Sequence, residues 1–169
     1  MKWIFASLIF LISLSANGQT SKDSITVYYF MSEECKICQY YSNLQIDLYE
    51  NYNDSYTSFV GLFPNHFSSV PAIDSYKKKY QIPFTLKKEF FQTKTKKFDA
   101  KITPEVVVYN ETKEEVIYQG RIDNSYARLG KLRRVVTQHE LKDVLESLKQ
   151  GGVVTTEDVA PIGCYISLK

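Results

Sequence analysis

The chain has 169 residues, 44% hydrophobic and 24% charged, with 21 Lys and Arg against 19 Asp and Glu for a formal net charge of +2. That length and composition fit one globular domain and exclude a low-complexity or disordered chain, which would be poor in apolar residues or rich in Gly and Pro. The near balance of charge, with no basic block, excludes the electrostatic footprint of a nucleic-acid or membrane-surface binder.

Residues 1–18 read as a secretory signal peptide. Lys2 supplies a positive start, Ile4 to Leu14 a short apolar core, and Ala16-Asn17-Gly18 a small-residue cleavage site. The apolar run is too short to span a bilayer. No cysteine stands at the cleavage point, so no stable membrane anchor is expected on the mature chain, residues 19–169. Export means the periplasm in a two-membrane bacterium and secretion otherwise. There the state of a cysteine pair is set by partner proteins. All 3 cysteines, Cys35, Cys38 and Cys164, fall in the mature part.

Ile25 to Phe30 is an apolar, β-branched and aromatic run that suits a buried strand. Ser32-Glu33-Glu34 breaks it, and Cys35-Lys36-Ile37-Cys38 follows. From Cys38 onward Tyr41, Leu44 and Leu48 recur at helical spacing. The cysteine pair therefore sits where a strand ends and a helix begins. Free N–H groups and partial positive charge at a helix start stabilise a thiolate, so Cys35 is expected to be the more exposed and more acidic thiol. Cys38, one turn on, is placed to attack a mixed disulfide. Lys36 favours the thiolate electrostatically; Glu33 and Glu34 oppose it. A zinc site also uses this spacing but needs two more ligands, and the remaining candidates, Cys164, His66 and His139, are scattered singly. No metal and no cofactor is expected.

The first helix extends to about Tyr52, and Asn53-Asp54-Ser55 signals a turn. Tyr56 to Phe63 reads as a second buried strand. Val70 to Gln81 reads as a helix with Ile73, Tyr76 and Tyr80 on one face and a solvated lysine run on the other. Ile82 to Leu86 suggests a short strand, and Lys88 to Phe98 a charged helix with Phe90, Phe91 and Phe98 as its apolar contacts. Val106 to Tyr109 is a strand behind Thr103-Pro104-Glu105. Asn110 to Lys113 turns the chain into a hairpin partner, Glu115 to Ile122, in which Gly120 marks a bulge or a close approach. A polar connection follows to about Val136. Thr137-Gln138-His139-Glu140 has capping-box form, with Thr137 as cap and Glu140 reaching back. Its helix runs to about Leu148 and stops at Gly151-Gly152, leaving a tail from about residue 150.

Strand, CxxC and helix together resemble the thioredoxin superfamily. The fold this implies is α/β: a central mixed sheet of four or five strands flanked by helices, with one insertion after the second strand. The Thr103-Pro104 pair resembles the superfamily's second signature, a cis-proline facing the cysteine pair. That resemblance implies a backbone at Thr103 free to pair with an extended substrate. Gly120-Arg121-Ile122-Asp123 and the terminal Gly163-Cys164-Tyr165-Ile166 resemble redoxin-domain relatives of the alkyl-hydroperoxide-reductase and thiol-antioxidant family.

These features point to an exported thiol–disulfide oxidoreductase. Cys35 attacks, Cys38 resolves, Thr103 and Pro104 shape the substrate groove, and Glu33, Glu34, Lys36 and Glu105 are candidate tuners of thiol acidity. Expected partners are extracytoplasmic thiol or disulfide proteins and a redox partner protein. A peroxiredoxin-like peroxidase is the alternative. Peroxiredoxins place a proline seven residues before the reactive cysteine and Thr or Ser three before; here Tyr28 and Ser32 hold those positions. A non-catalytic binding module with a structural disulfide is a further alternative, and copper delivery, which needs a well-placed histidine, ranks behind it. Cys164 has three readings: a packed tail residue, an intermolecular disulfide, or a third redox thiol. Gly163 allows close backbone approach, and Tyr165 and Ile166 offer apolar anchors.

Overall fold

The structure is a computed structural model in which residues 23–168 are described; the signal-peptide reading of residues 1–18 lies outside them. In chain order the elements are β1 (Ile25–Phe30), α1 (Lys36–Tyr52), β2 (Thr57–Phe63), α2 (Val70–Tyr80), β3 (Thr85–Lys88), α3 (Thr93–Lys97), β4 (Ile102–Thr103), β5 (Glu105–Asn110), β6 (Glu115–Gly120), β7 (Tyr126–Arg128), β8 (Lys131–Leu132), α4 (Glu140–Lys149) and β9 (Cys164–Tyr165). Five strands form the central sheet in the order β3-β2-β1-β5-β6. β1, β2 and β3 run parallel, while β5 lies antiparallel to β1 and to β6, so the sheet is mixed. Beyond the connecting helix α2, the elements β3, α3 and β4 stand where the insertion is expected, and β3 extends the sheet at its edge.

β1 is buried at every position because it is the middle strand and both its faces are covered. Period-2 alternation divides its side chains between two cores. Val27, Tyr29 and Met31 pack with α1, α2 and α4 through residues such as Tyr41, Leu48, Tyr76, Leu141 and Leu145. Tyr28 and Phe30 face the other way, against Leu62, Phe98, Val107, Tyr109 and Ile166. The tail therefore contributes a side chain to the second core.

Several local expectations are corrected. The charged helix over Lys88 to Phe98 is instead the end of β3 and a five-residue α3. Glu89 explains the break: its carboxylate accepts from the Lys94 and Thr95 N–H groups and the Thr95 hydroxyl, starting the helix anew. Phe90 and Phe91 are exposed, and only Phe98 reaches the core. The short strand begins at Thr85 rather than Ile82; Pro83 cannot donate to a ladder, while Ile82 and Phe84 are buried ahead of the strand. β6 ends at Gly120 because the Arg121 N–H turns to the Val159 carbonyl at 2.9 Å. Gly120 is a close approach: a Cβ there would stand 2.5 Å from the Val159 oxygen, while the register shift lies further back in β6, where Tyr118 and Val116 pair with the consecutive Val108 and Tyr109.

The capping box does not form. His139 occupies the N-cap of α4 without a side-chain cap bond. Thr137 is held by Asn124, which donates to its Oγ1 at 2.9 Å and accepts its N–H at 3.0 Å. Glu140 accepts from Arg121, whose Nε lies 2.9 Å from Oε1. A largely buried ion pair outweighs the local N–H as a partner for that carboxylate. The polar connection before α4 holds the small β7–β8 hairpin, turned at Gly130 with φ of +72°.

Candidate active site

β1 delivers the chain to the mouth of the sheet, and the Met31 N–H extends its pairing to the Leu62 carbonyl at 2.8 Å. A turn through Ser32, closed by the Cys35 N–H to the Ser32 carbonyl at 3.2 Å, reverses the chain into α1. Cys35 is the N-cap, with φ −72° and ψ 115°, and Cys38 lies in the first turn. Both residues are buried; Cys38 is fully enclosed and Cys35 is 2% exposed. Cys35 is the more exposed of the two only marginally, because β9, near the end of the chain, lies over it.

Facing the pair is the peptide bond between Thr103 and Pro104, which is cis. The Thr103 carbonyl oxygen lies 3.2 Å from Cys35 Sγ. The backbone of Thr103 is not free: β4 pairs with β9, Ile102 opposite Tyr165 and Thr103 opposite Cys164. Cys164 Sγ is 3.0 Å from Cys35 Sγ, although Cys164 as a residue remains exposed. Three thiols converge on the head of α1 and one buried threonine.

Their environments separate their acidities. The hydrogen bond donated by Cys38 holds Cys35 down to about 5 against the opposing effect of burial, with help from Cys164 and the Cys38 and Ile37 N–H groups. Burial pushes the Cys38 thiol well above its ordinary range, and donating to Cys35 raises it further. Cys164 is pushed up to about 11 by desolvation and then by the Cys35 thiolate it faces. One thiolate with two protonated neighbours is the favoured charge state.

The candidate tuners lie as follows. Glu33 accepts from the Ser68 hydroxyl at 2.7 Å, and Lys36 donates to Gln39 at 3.3 Å. Glu34 is exposed. Glu105 is buried and accepts from the Lys101 and Ile102 N–H groups and from Gln119, so it braces the approach to Pro104. The leading causes of the Cys35 shift are its hydrogen bond from Cys38 and the opposing effect of burial. Tyr165 is 83% exposed and anchors nothing, whereas Ile166 is buried. His66 stacks its ring edge against Phe67, and His139 caps α4. Among the described residues no group of three or more His, Cys, Asp or Glu is arranged to hold a metal ion.

Sequence reasoning missed the residues that support this site. Tyr76 donates to the Cys38 carbonyl at 3.1 Å, and Tyr41 donates to Asp123 at 2.5 Å. Asn65 and Gln92 hold the tail: Asn65 accepts the Ser167 N–H at 2.8 Å, and Gln92 donates to the Ser167 carbonyl at 2.7 Å. Their separation in sequence leaves no pattern to read; only the turn-like Pro64-Asn65 hints at a special position.

No family model matches the chain, and no curated protein does. Solved structures do. An uncharacterized conserved protein from Geobacillus kaustophilus superposes with a TM-score of 0.75 at 23% identity, covering 88% of this chain and 79% of that one. A hypothetical protein from Sinorhizobium meliloti 1021 gives 0.75 at 22% identity, covering 88% and 81%. A thioredoxin-like protein from Aeropyrum pernix gives 0.54 at 15% identity, covering 78% and 80%. The likeness is one of fold, and the fold is thioredoxin-like. Among the described residues no helix is long and apolar enough to cross a membrane.

Proposed function

We propose that this chain is an exported thiol–disulfide oxidoreductase in which Cys35 is the nucleophile and Cys38 the resolving thiol. The observation that carries this reading is the placing of the two thiols one turn apart at the head of α1, with Cys35 Sγ 3.2 Å from the Thr103 carbonyl oxygen, in surroundings that hold Cys35 low, to about 5, and push Cys38 well above its ordinary range. At neutral pH the first is a thiolate ready to attack, and the second keeps its proton until a mixed disulfide forms beside it. Attack of Cys35 on a substrate S–S bond makes the Cys35–substrate bond and releases the other substrate sulfur as thiolate. Attack of Cys38 on Cys35 Sγ then makes the internal disulfide and releases the second substrate sulfur.

The Gly-Arg-Ile-Asp and Gly-Cys-Tyr-Ile stretches support a place among redoxin-domain relatives, and the leader-like start supports export. Against a peroxidase, Tyr28 turns its hydroxyl to Glu111 and Arg121 is engaged with Glu140, so neither contributes to a cage of donors for a peroxide. The test is exchange with a peptide disulfide such as glutathione disulfide. The reduced protein reacts faster than free cysteine at pH 7, and Cys35→Ser removes the reaction. Equal rates for the two proteins favour a binding module. Rapid Cys35-dependent loss of hydroperoxide favours the peroxidase instead.

A further inference from the structure

β9 occupies the place beside Thr103 where an extended substrate is expected to pair. The register puts Cys164 directly opposite Thr103 and its sulfur 3.0 Å from Cys35 Sγ. Thr103 also donates from Oγ1 to the Cys164 carbonyl at 3.4 Å. Gly163 makes the approach possible: a Cβ there would lie 2.1 Å from the Thr103 oxygen, so no side chain fits without moving the strand. Beyond the cysteine the tail is fastened. The Ile166 N–H donates to the Lys101 carbonyl at 2.8 Å, its side chain enters the second core, and Asn65 and Gln92 hold Ser167.

We propose that Cys164 is a third exchanging thiol, borne on a strand that alternates with substrate at Thr103, and that it resolves the mixed disulfide on Cys35 by a second route beside direct attack by Cys38. This rests on the dithiol reading above and extends it. The tail must lift for a substrate sulfur to reach the buried Cys35. Its return re-pairs β9 with β4 and brings Cys164 back to the same sulfur. As a thiolate, having lost its proton to water, Cys164 attacks Cys35 Sγ. The Cys35–Cys164 bond forms, the Cys35–substrate bond breaks, and the departing substrate thiolate takes up a proton. The substrate disulfide has then gained two electrons, and the two protein thiols have lost them. Attack of Cys38 on Cys35 Sγ next exchanges one internal disulfide for the other with no net oxidation, and Cys164 leaves to be protonated. The tail thus competes with substrate for the edge of Thr103 and for the sulfur of Cys35 together.

The test uses the full mature chain and glutathione disulfide as the probe. Cys38→Ala gives an internal Cys35–Cys164 disulfide on peptide mapping and little glutathione adduct. Cys38→Ala/Cys164→Ser, with neither resolving thiol, accumulates adduct on Cys35 at a level higher by on the order of tenfold. Gly163→Val in the Cys38→Ala background keeps the thiol but blocks its docking, and it behaves like the double variant, with folding checked by circular dichroism. Equal adduct in Cys38→Ala and Cys38→Ala/Cys164→Ser, with no Cys35–Cys164 peptide, overturns the role of Cys164 and leaves the dithiol reading standing. Absence of any Cys35 adduct in the double variant overturns both.

Discussion

At the scale of single residues, charge is what distinguishes three chemically identical thiols. Cys35 is held down to about 5, and Cys164 is pushed up to about 11, chiefly by desolvation and further by the same contact that helps lower Cys35. Alkylation follows the thiolate, so its pH profile reads the lowered group directly. Reduced protein treated with iodoacetamide is expected to modify Cys35 first. The rate should be flat near neutral pH and fall as pH drops through about 5, where Cys35 takes up its proton. Cys164→Ala removes one hydrogen bond to the thiolate, so the midpoint moves upward while the rate on the plateau rises through better access. First reaction at Cys38, or a midpoint at the ordinary value of about 8.5, contradicts this ordering.

At the scale of elements, the tail is an integral part of the fold. Ile166 is buried among Tyr28, Phe30 and Phe98 of the second core, and among the described residues β4 pairs with no strand other than β9. Ile166→Ala is expected to cost about 2–5 kcal/mol by denaturant titration, the usual range for deleting a buried Ile side chain. It should also speed Cys35 alkylation, because the strand covering that sulfur loses its anchor; a full loss of stability with unchanged alkylation would separate the anchor from the cover. These elements differ in how far sequence reveals them. β1 and α1 are legible because each carries an uninterrupted apolar pattern, and the Cys35–Cys38 spacing marks their junction. The stretch Lys88 to Phe98 misleads, since its lysines and phenylalanines keep helical spacing while Glu89 cuts the backbone into two pieces. The capping-box reading at Thr137 fails for a related reason: Arg121, far off in sequence, takes the carboxylate of Glu140. At the site, Gly163 hints at a close approach, but nothing local names Thr103 as the backbone approached. Local pattern is reliable where the competing partner is also local.

At the scale of the whole molecule, a strand near the end of the chain meets the first helix near its beginning, 129 positions apart. The two internal disulfides open to Cys35 therefore differ greatly in the ring of backbone they close. Chain entropy gives about 2 kcal/mol for closing the short Cys35–Cys38 ring and about 5 kcal/mol for the long one through Cys164. In an unfolded chain, where nothing holds the tail near α1, exchange should favour the short ring by about two orders of magnitude. Folding removes that penalty by bringing the two sulfurs together in advance. Singly oxidised Cys35–Cys164 protein, equilibrated in denaturant with a trace of free thiol and then quenched by acid, is expected to convert to the Cys35–Cys38 isomer. Persistence of the long ring in unfolded chains would contradict this ranking. The position of one disulfide thus becomes a record of whether the ends of the fold are still in register, written in the size of the loop that the chain can close.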